Sequence, residues 1–231
     1  MNFYETTLRR IVQESSDSYS YIMDIPEGYT WKAGQHAMFK IKDYKLVEGD
    51  RDSRIFTIAS APQDEFLMFT TRIGELHSGF KDHLLKNIKV GDKIEIAAPL
   101  GSFDFDMEKY KMSIAIAGGI GITPIRSLLR HYAENNDENH AFTVIYSDDR
   151  GEYAYDELWE ELKAKMPNLD IRFVSERDEF TGSTNDYAEK FGNESEYLIA
   201  GSPGMNAAFT QTLVDLGIEK ENIKTDNFMG Y

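Results

Sequence analysis

Cysteine is absent from this 231-residue chain. That excludes disulfides, thiolate metal sites, a cysteine-ligated iron–sulfur cluster and a thiol nucleophile. No apolar run is long enough to cross a membrane, so no membrane insertion is expected. The first residues, Met1-Asn2-Phe3-Tyr4-Glu5, have neither the basic nor the apolar block of a signal peptide. Basic residues are few. Against 40 Asp and Glu stand 25 Lys and Arg, a formal charge of −15, so nucleic acid is not an expected partner. A cytoplasmic protein is the expectation. The acidic run between Glu134 and Glu161 reads as a solvated face. No metal site, internal repeat or low-complexity tract is expected.

Hydrophobic residues make up 41% of the chain, enough for one large domain or two small ones. The first hundred residues read as strands at 19–25, 36–41, 54–59, 66–72 and 93–97, with turn signals such as Pro26-Glu27-Gly28 and Val90-Gly91-Asp92 between them. Only Phe80 to Asn87 reads as helical. Short strands at regular spacing predict a small antiparallel barrel. After Tyr110 strands alternate with helices: strands at 112–117, 142–146, 169–174 and 197–200, helices at 124–132, 155–166 and 204–216. That alternation predicts a doubly wound parallel sheet. The expected division is 1–107 and 108–231.

The stretch Ile116-Ala117-Gly118-Gly119-Ile120-Gly121-Ile122-Thr123-Pro124 is the strand-to-helix turn of the second unit. Thr123 suits an N-cap and Pro124 the first helical position. A glycine turn before a helix N-terminus can cradle a phosphate. It can equally be a turn that merely needs glycine, since it is not the dinucleotide fingerprint with three fixed glycines.

Other segments carry possible chemistry in the same double sense. Arg54-Ile55-Phe56-Thr57-Ile58-Ala59-Ser60 is either an ordinary strand or a strand whose Arg forks onto a phosphate. Thr71-Arg72-Ile73-Gly74-Glu75-Leu76-His77-Ser78-Gly79-Phe80-Lys81 ends in a helix that Ser78 can cap, with Lys81 read as solvated. Pro99-Leu100-Gly101-Ser102-Phe103 reads as a structural turn. Gly201-Ser202-Pro203-Gly204-Met205 opens the last helix. Asp226-Asn227-Phe228-Met229-Gly230-Tyr231 is an aromatic tail.

In this order the segments resemble the ferredoxin–NADP reductase family of flavoproteins over nearly the whole chain. The resemblance implies a Greek-key antiparallel β-barrel that binds FAD, followed by an NAD(P)-binding α/β domain, as a free-standing reductase without an iron–sulfur domain. It implies Arg54 on the flavin phosphate, Phe56 against the ring in place of the family's Tyr, and Thr57 near the hydride-accepting N5. Thr71, Ile73, His77, Ser78 and Gly79 would form the second flavin segment. Gly118, Gly119, Gly121, Thr123 and Pro124 would form the nicotinamide-dinucleotide turn, with Gly201 and Met205 beside the nicotinamide. Ala200 stands where many relatives carry Cys. Phe228 would cover the flavin face that nicotinamide must occupy. Thr57 and Phe228 are thus the expected catalytic positions.

The implied reaction passes hydride from NAD(P)H to flavin and then electrons to a small molecule or small redox protein: flavin, a ferric complex, flavodoxin or ferredoxin. A reductase subunit of a multicomponent complex, or a flavin-binding sensor without turnover, are the alternatives. Acidic Asp148, Asp149 and Glu176 lean the choice of nucleotide toward NADH, because carboxylates repel a 2′-phosphate. Arg150 and Arg177 are the cations that oppose that lean.

Overall fold

The computed structural model describes residues 2–42, 44–45 and 48–227. The first half is an antiparallel sheet of β1 (Phe3–Gln13), β2 (Ser18–Met23), β3 (His36–Ile41), β4 (Ser53–Thr57), β5 (Leu67–Arg72) and β6 (Lys93–Ala97), in the order β4-β3-β6-β1-β2-β5. Its two edges approach one another. Just beyond β4, the Ala59 N–H donates to the Met68 carbonyl of β5 at 2.7 Å, and the sheet curls into a near-barrel. Strand alternation fills the inside: Ala37, Phe39 and Ile41 of β3 are buried while the residues between them are not. One helix, α1 (Gly79–Lys86), plugs an end with Phe80 and Leu84.

Strand β1 lies outside the sequence expectation, for a physical reason. Only Thr6 and Leu8 in it are fully buried, so its pattern carries little hydrophobic signal. It exists because both its sides are paired, with β6 from Phe3↔Ala97 to Thr7↔Lys93 and with β2 from Leu8↔Met23 to Gln13↔Tyr19.

The second half comprises β7 (Met112–Gly118), α2 (Ile122–Tyr132), β8 (Ala141–Ser147), α3 (Asp156–Lys165), β9 (Leu169–Val174), α4 (Arg177–Phe191), β10 (Glu196–Gly201), α5 (Pro203–Asp215) and β11 (Ile223–Asn227). The sheet is parallel throughout, ordered β11-β10-β7-β8-β9. Helices cover both faces, so β7 and β10 are near-continuous apolar runs. Helix α4 and strand β11 also lie outside the expectation. α4 buries only Phe180, Ser183, Thr184 and Ala188, and Ile223-Lys224-Thr225-Asp226-Asn227 holds one apolar residue.

The halves share an apolar seam. Ile22, Ala59 and Met68 of the first half sit in one cluster with Leu128, Trp159 and Leu198 of the second. Among the described residues no helix is long and apolar enough to cross a membrane.

Candidate functional site

Two pockets meet at the seam. The first lies on the near-barrel and is lined by Arg54, Arg72, Gly74, Leu76, His77, Ser78 and Lys81. Ser78 caps α1, its hydroxyl accepting the Lys81 N–H at 3.3 Å. The His77 ring is held between the Gly74 carbonyl (2.6 Å) and the Asp82 carboxylate (3.1 Å). Lys81 is buried rather than solvated, because its ammonium turns inward to donate to the Arg72 carbonyl at 2.9 Å. Burial, and then the charges of Arg54 and Arg72, push its pKa down. Three cations thus converge on a pocket beside a helix N-terminus, at a cost that a bound anion would relieve. This donor set fits a phosphate or pyrophosphate.

Asp50 already sits at one edge of that donor set. Its carboxylate accepts the Phe80 N–H of the first turn of α1 at 2.7 Å and the Tyr44 hydroxyl at 2.8 Å. It also pairs with the Arg54 guanidinium, which donates further to the Arg51 and Ser53 carbonyls and lies 5.0 Å from the Phe80 ring centroid. Burial would raise the Asp50 carboxyl, but Arg54 and the hydrogen bonds from the Arg51 N–H, Tyr44 and the Phe80 N–H outweigh it and hold its pKa at about 2.

The second pocket opens at the carboxyl ends of β7, β8 and β10, where the strand order reverses between β7 and β10. Its lining includes Gly118, Gly119, Ser147, Asp148, Asp149 and Arg177, with Thr181, Ser202 and Met205. Arg72 lines this pocket as well as the first, so the two share a wall. The glycines divide by role. Gly119 has φ +52° and would meet nothing with a Cβ, whereas a Cβ on Gly121 would overlap the Ala200 carbonyl. Cβ atoms on Gly118 and Gly201 would collide with Met205. Close packing, then, explains Gly121, Gly118 and Gly201, and Gly119 alone of the turn is open on that side.

Thr123 is not the N-cap. A 3₁₀ turn at Gly119–Gly121 leads into α2, Gly121 caps it, and the Thr123 hydroxyl donates back to the Ile120 carbonyl at 3.0 Å. Thr123 and Pro124 are buried beneath the turn.

The remaining expected residues fall as follows. Arg54, His77 and Ser78 line the first pocket, and Gly118, Gly119 and Met205 the second. Gly79 is the first residue of α1. Thr71 and Ile73 are buried beside Arg72. Thr57 is buried at the end of β4, paired in register with His36. Phe56 is half-buried and stacked on Phe69, with centroids 4.5 Å apart and planes 3° apart. Phe228 and the rest of the aromatic tail lie outside the described residues. Glu176 is exposed and does not line the second pocket, so its acidity comes from Asp148 and Asp149 instead.

Arg150 is committed elsewhere. It pairs with Asp17 at 2.8 Å and Asp148 at 3.3 Å and donates to Ser16 Oγ at 3.0 Å. Asp17 in turn holds Arg72 at 2.8 Å. Burial raises the Asp17 carboxyl, but Arg72 and Arg150 outweigh it and hold it below the usual carboxylate range.

Sequence reasoning missed Arg72, Lys81, Leu76 and Thr181 as lining residues. Arg72, Leu76 and Lys81 lie within the segment 71–81 singled out above, but only tertiary packing decides that their side chains line the pocket, and Thr181 belongs to no local motif. Asp226, opposite Ala200 in β11, lines neither pocket; burial raises its carboxyl against the opposing charge of His36. Among the described residues no group of three or more His, Asp or Glu side chains is placed to hold a metal ion.

Residues 115–211 match the model of the oxidoreductase NAD-binding domain. The chain is 27% identical over 230 residues to a component of the Na(+)-translocating NADH-quinone reductase of Serratia proteamaculans, covering 90% of this chain and 56% of the relative. It is 25% identical to a flavohemoprotein of Dictyostelium discoideum, covering 97% of this chain and 60% of the relative. The chain therefore spans little more than half the length of these relatives. Among solved structures, the ferredoxin–NADP+ reductase from Plasmodium falciparum superposes with a TM-score of 0.78 at 19% identity, covering 98% of this chain and 97% of that one. The ferredoxin reductase in carbazole 1,9a-dioxygenase gives 0.81 at 18% identity, over 99% and 70%.

Proposed function

We propose that this chain, whose fold is ferredoxin–NADP reductase-like and whose residues 115–211 are an oxidoreductase NAD-binding domain, is an FAD-dependent NAD(P)H oxidoreductase. The observation that carries the reading is the shared wall at Arg72, which joins a cationic pocket on the near-barrel to the cleft at the switch point of the parallel sheet. Bound in these two places, nicotinamide supplies the hydride and flavin accepts it. The chain's own residues bind and position. Arg54, Lys81 and the first turn of α1 hold the flavin phosphates. Ser78 fixes that turn. Thr57 would bond near the reacting edge of the flavin, and Phe56, backed by Phe69, would support the ring. Gly118, Gly119 and Met205 receive the nicotinamide nucleotide. For Phe228, outside the described residues, the proposed role is the one the resemblance implies, shielding the flavin face that nicotinamide would occupy. The functional division falls at 107/108.

NADH is the proposed donor. Asp148 and Asp149 line the cleft, and Arg150, the nearby cation that would favour a 2′-phosphate, is tied to Asp17 and Asp148. The proposed acceptor is a small molecule or a small redox protein, and the proposed compartment is the cytoplasm.

The test begins with purification without added cofactor. A yellow protein that releases FAD, and whose flavin is bleached anaerobically by NADH at least tenfold more efficiently than by NADPH, is expected. A protein that takes up no flavin removes the reading. Equal or reversed efficiencies remove only the choice of NADH and turn attention to Arg177.

A further inference from the structure

Tyr155 is buried with φ +71°, a left-handed conformation that a side chain with a Cβ rarely adopts. It ends the loop after β8 and immediately precedes α3. The first half of the molecule holds it at both polar ends. Its hydroxyl donates to Thr70 Oγ1 of β5 at 2.6 Å. Thr70 lies 2.8 Å from Ser20 Oγ of β2, and Ser20 donates to Glu14 Oε1 at 2.5 Å. Burial raises the Glu14 carboxyl, and the Ser20 hydroxyl and the neighbouring Tyr155 backbone N–H pull it back down.

With Glu14 ionised, the protons run one way around this ring: Tyr155 to Thr70, Thr70 to Ser20, Ser20 to Glu14. Each hydroxyl is used, and every bond crosses or borders the seam. Above it the Arg126 guanidinium lies 5.4 Å from the Tyr155 ring centroid, donating to the Ala59 carbonyl at 2.8 Å and pairing with Asp64 at 2.7 Å.

None of these residues lines either pocket, yet Thr70, Arg126 and Tyr155 are each attached to a wall of one. Thr70 is two residues from Arg72, the shared wall. Arg126 belongs to α2, which begins at the glycine turn. The loop that Tyr155 ends carries Asp148 and Asp149.

We infer that Tyr155 is a positioning residue, a pin that fixes the angle between the two halves and so the approach of nicotinamide to flavin. The inference rests on the oxidoreductase reading above. The step it serves moves one hydride, the C4–H bonding pair with its proton, from reduced nicotinamide to flavin N5; the C–H bond breaks and an N–H bond forms. Such a transfer is steeply sensitive to misplacement. A backbone strained into the left-handed region and clamped at both ends is what such a pin requires.

Tyr155→Phe keeps the ring and removes one hydroxyl. In flavin-loaded protein we expect the limiting rate of flavin reduction at saturating NADH to fall about tenfold, with KM and flavin retention changed less than twofold. A second readout is independent of activity. Because the chain has no cysteine, Lys89→Cys and Glu160→Cys, both exposed and one in each half, accept a single pair of spin labels. The distance distribution between them should broaden in Tyr155→Phe. Thr70→Val, which removes the acceptor and leaves Tyr155 intact, should reproduce both effects, and the double variant should be no worse than either single one. Thr70→Val also carries the test if Tyr155→Phe does not fold. An unchanged rate together with an unchanged distance distribution in a folded variant overturns the pin. A flavin-loaded wild type that neither nicotinamide nucleotide reduces overturns the oxidoreductase reading instead, and the pin with it.

Discussion

The two pockets have nearly the same volume, about 690 and about 700 Å³, and opposite means of holding the nucleotides proposed for them. The near-barrel pocket gathers Arg54, Arg72 and Lys81 around the start of α1. The cleft in the second half is made of strand ends, a glycine turn and two carboxylates, with Arg72 and Arg177 as its cations among the described residues. Charge-assisted bonds are roughly twice as strong as neutral ones. A cationic cradle suits a cofactor that stays; a backbone-lined, partly acidic cleft suits one that must leave on every cycle. On the proposed reading, side-chain charge would set affinity in the first pocket and packing in the second.

The sharpest test of that contrast is Gly121→Ala. Its Cβ would run into the Ala200 carbonyl, which is backbone and cannot swing away. A loss of about 3 kcal/mol in unfolding free energy is expected, read by denaturant titration. Gly118→Ala meets only the flexible Met205 thioether and should cost less than half as much. Equal costs would break the claim that packing builds the cleft.

Arg54→Ala should act the other way, on binding more than on fold. Losing a charge-assisted phosphate contact removes about 1.5–3 kcal/mol, a ten- to hundredfold rise in the flavin dissociation constant by fluorescence quenching. The dissociation constant for NADH in the remaining holoprotein should move less than twofold. A flavin constant that does not change would mean that the cradle does not hold phosphate.

Asp50→Asn tests the cradle from its acidic side. The Asp50 carboxyl, depressed from an ordinary 3.8 to about 2, stabilises the fold above its unfolded pKa, and that contribution is lost as pH falls through 2. The flavin-free variant should therefore be about 1–2 kcal/mol less stable at pH 7, and the gap should close between pH 4 and pH 2. With one negative charge removed from beside the phosphates, flavin should bind several-fold more tightly. Weaker flavin binding would show that Asp50 orients Arg54 for the ligand.

The smallest effect is expected at Asp149, whose side chain is 82% exposed. Asp149→Asn should raise kcat/KM for NADPH relative to NADH by about two- to threefold at low salt, and less at high salt. A ratio that ignores both the substitution and the salt would remove the cleft's acidity from the account of specificity.

Much of this was legible in the chain because its signals are local. Met112–Gly118 is apolar because both faces of a parallel strand are covered, and the turn that follows needs glycine whatever surrounds it. The alternation of strand and helix after Tyr110 sets the parallel sheet, and the cap at Ser78 is a property of one turn. Where the signal was weak, as in β1, α4 and β11, strand pairing and packing supplied what the pattern lacked. Arg54, His77 and Ser78 could be named in advance because each belongs to a short segment.

Tertiary structure alone decided the rest. Lys81 reads as a solvated lysine until the fold turns it inward beside Arg54 and Arg72. Arg150 reads as a free cation until Asp17, from a turn more than a hundred residues earlier, takes it. Asp50 and Phe80 are thirty residues apart, and only the closure of the near-barrel puts a carboxylate on the helix start. Tyr155 shows nothing in sequence of its positive φ or its partners. Charges and hydroxyls act through distance, and for groups far apart in the chain that distance exists only once the halves have closed on one another.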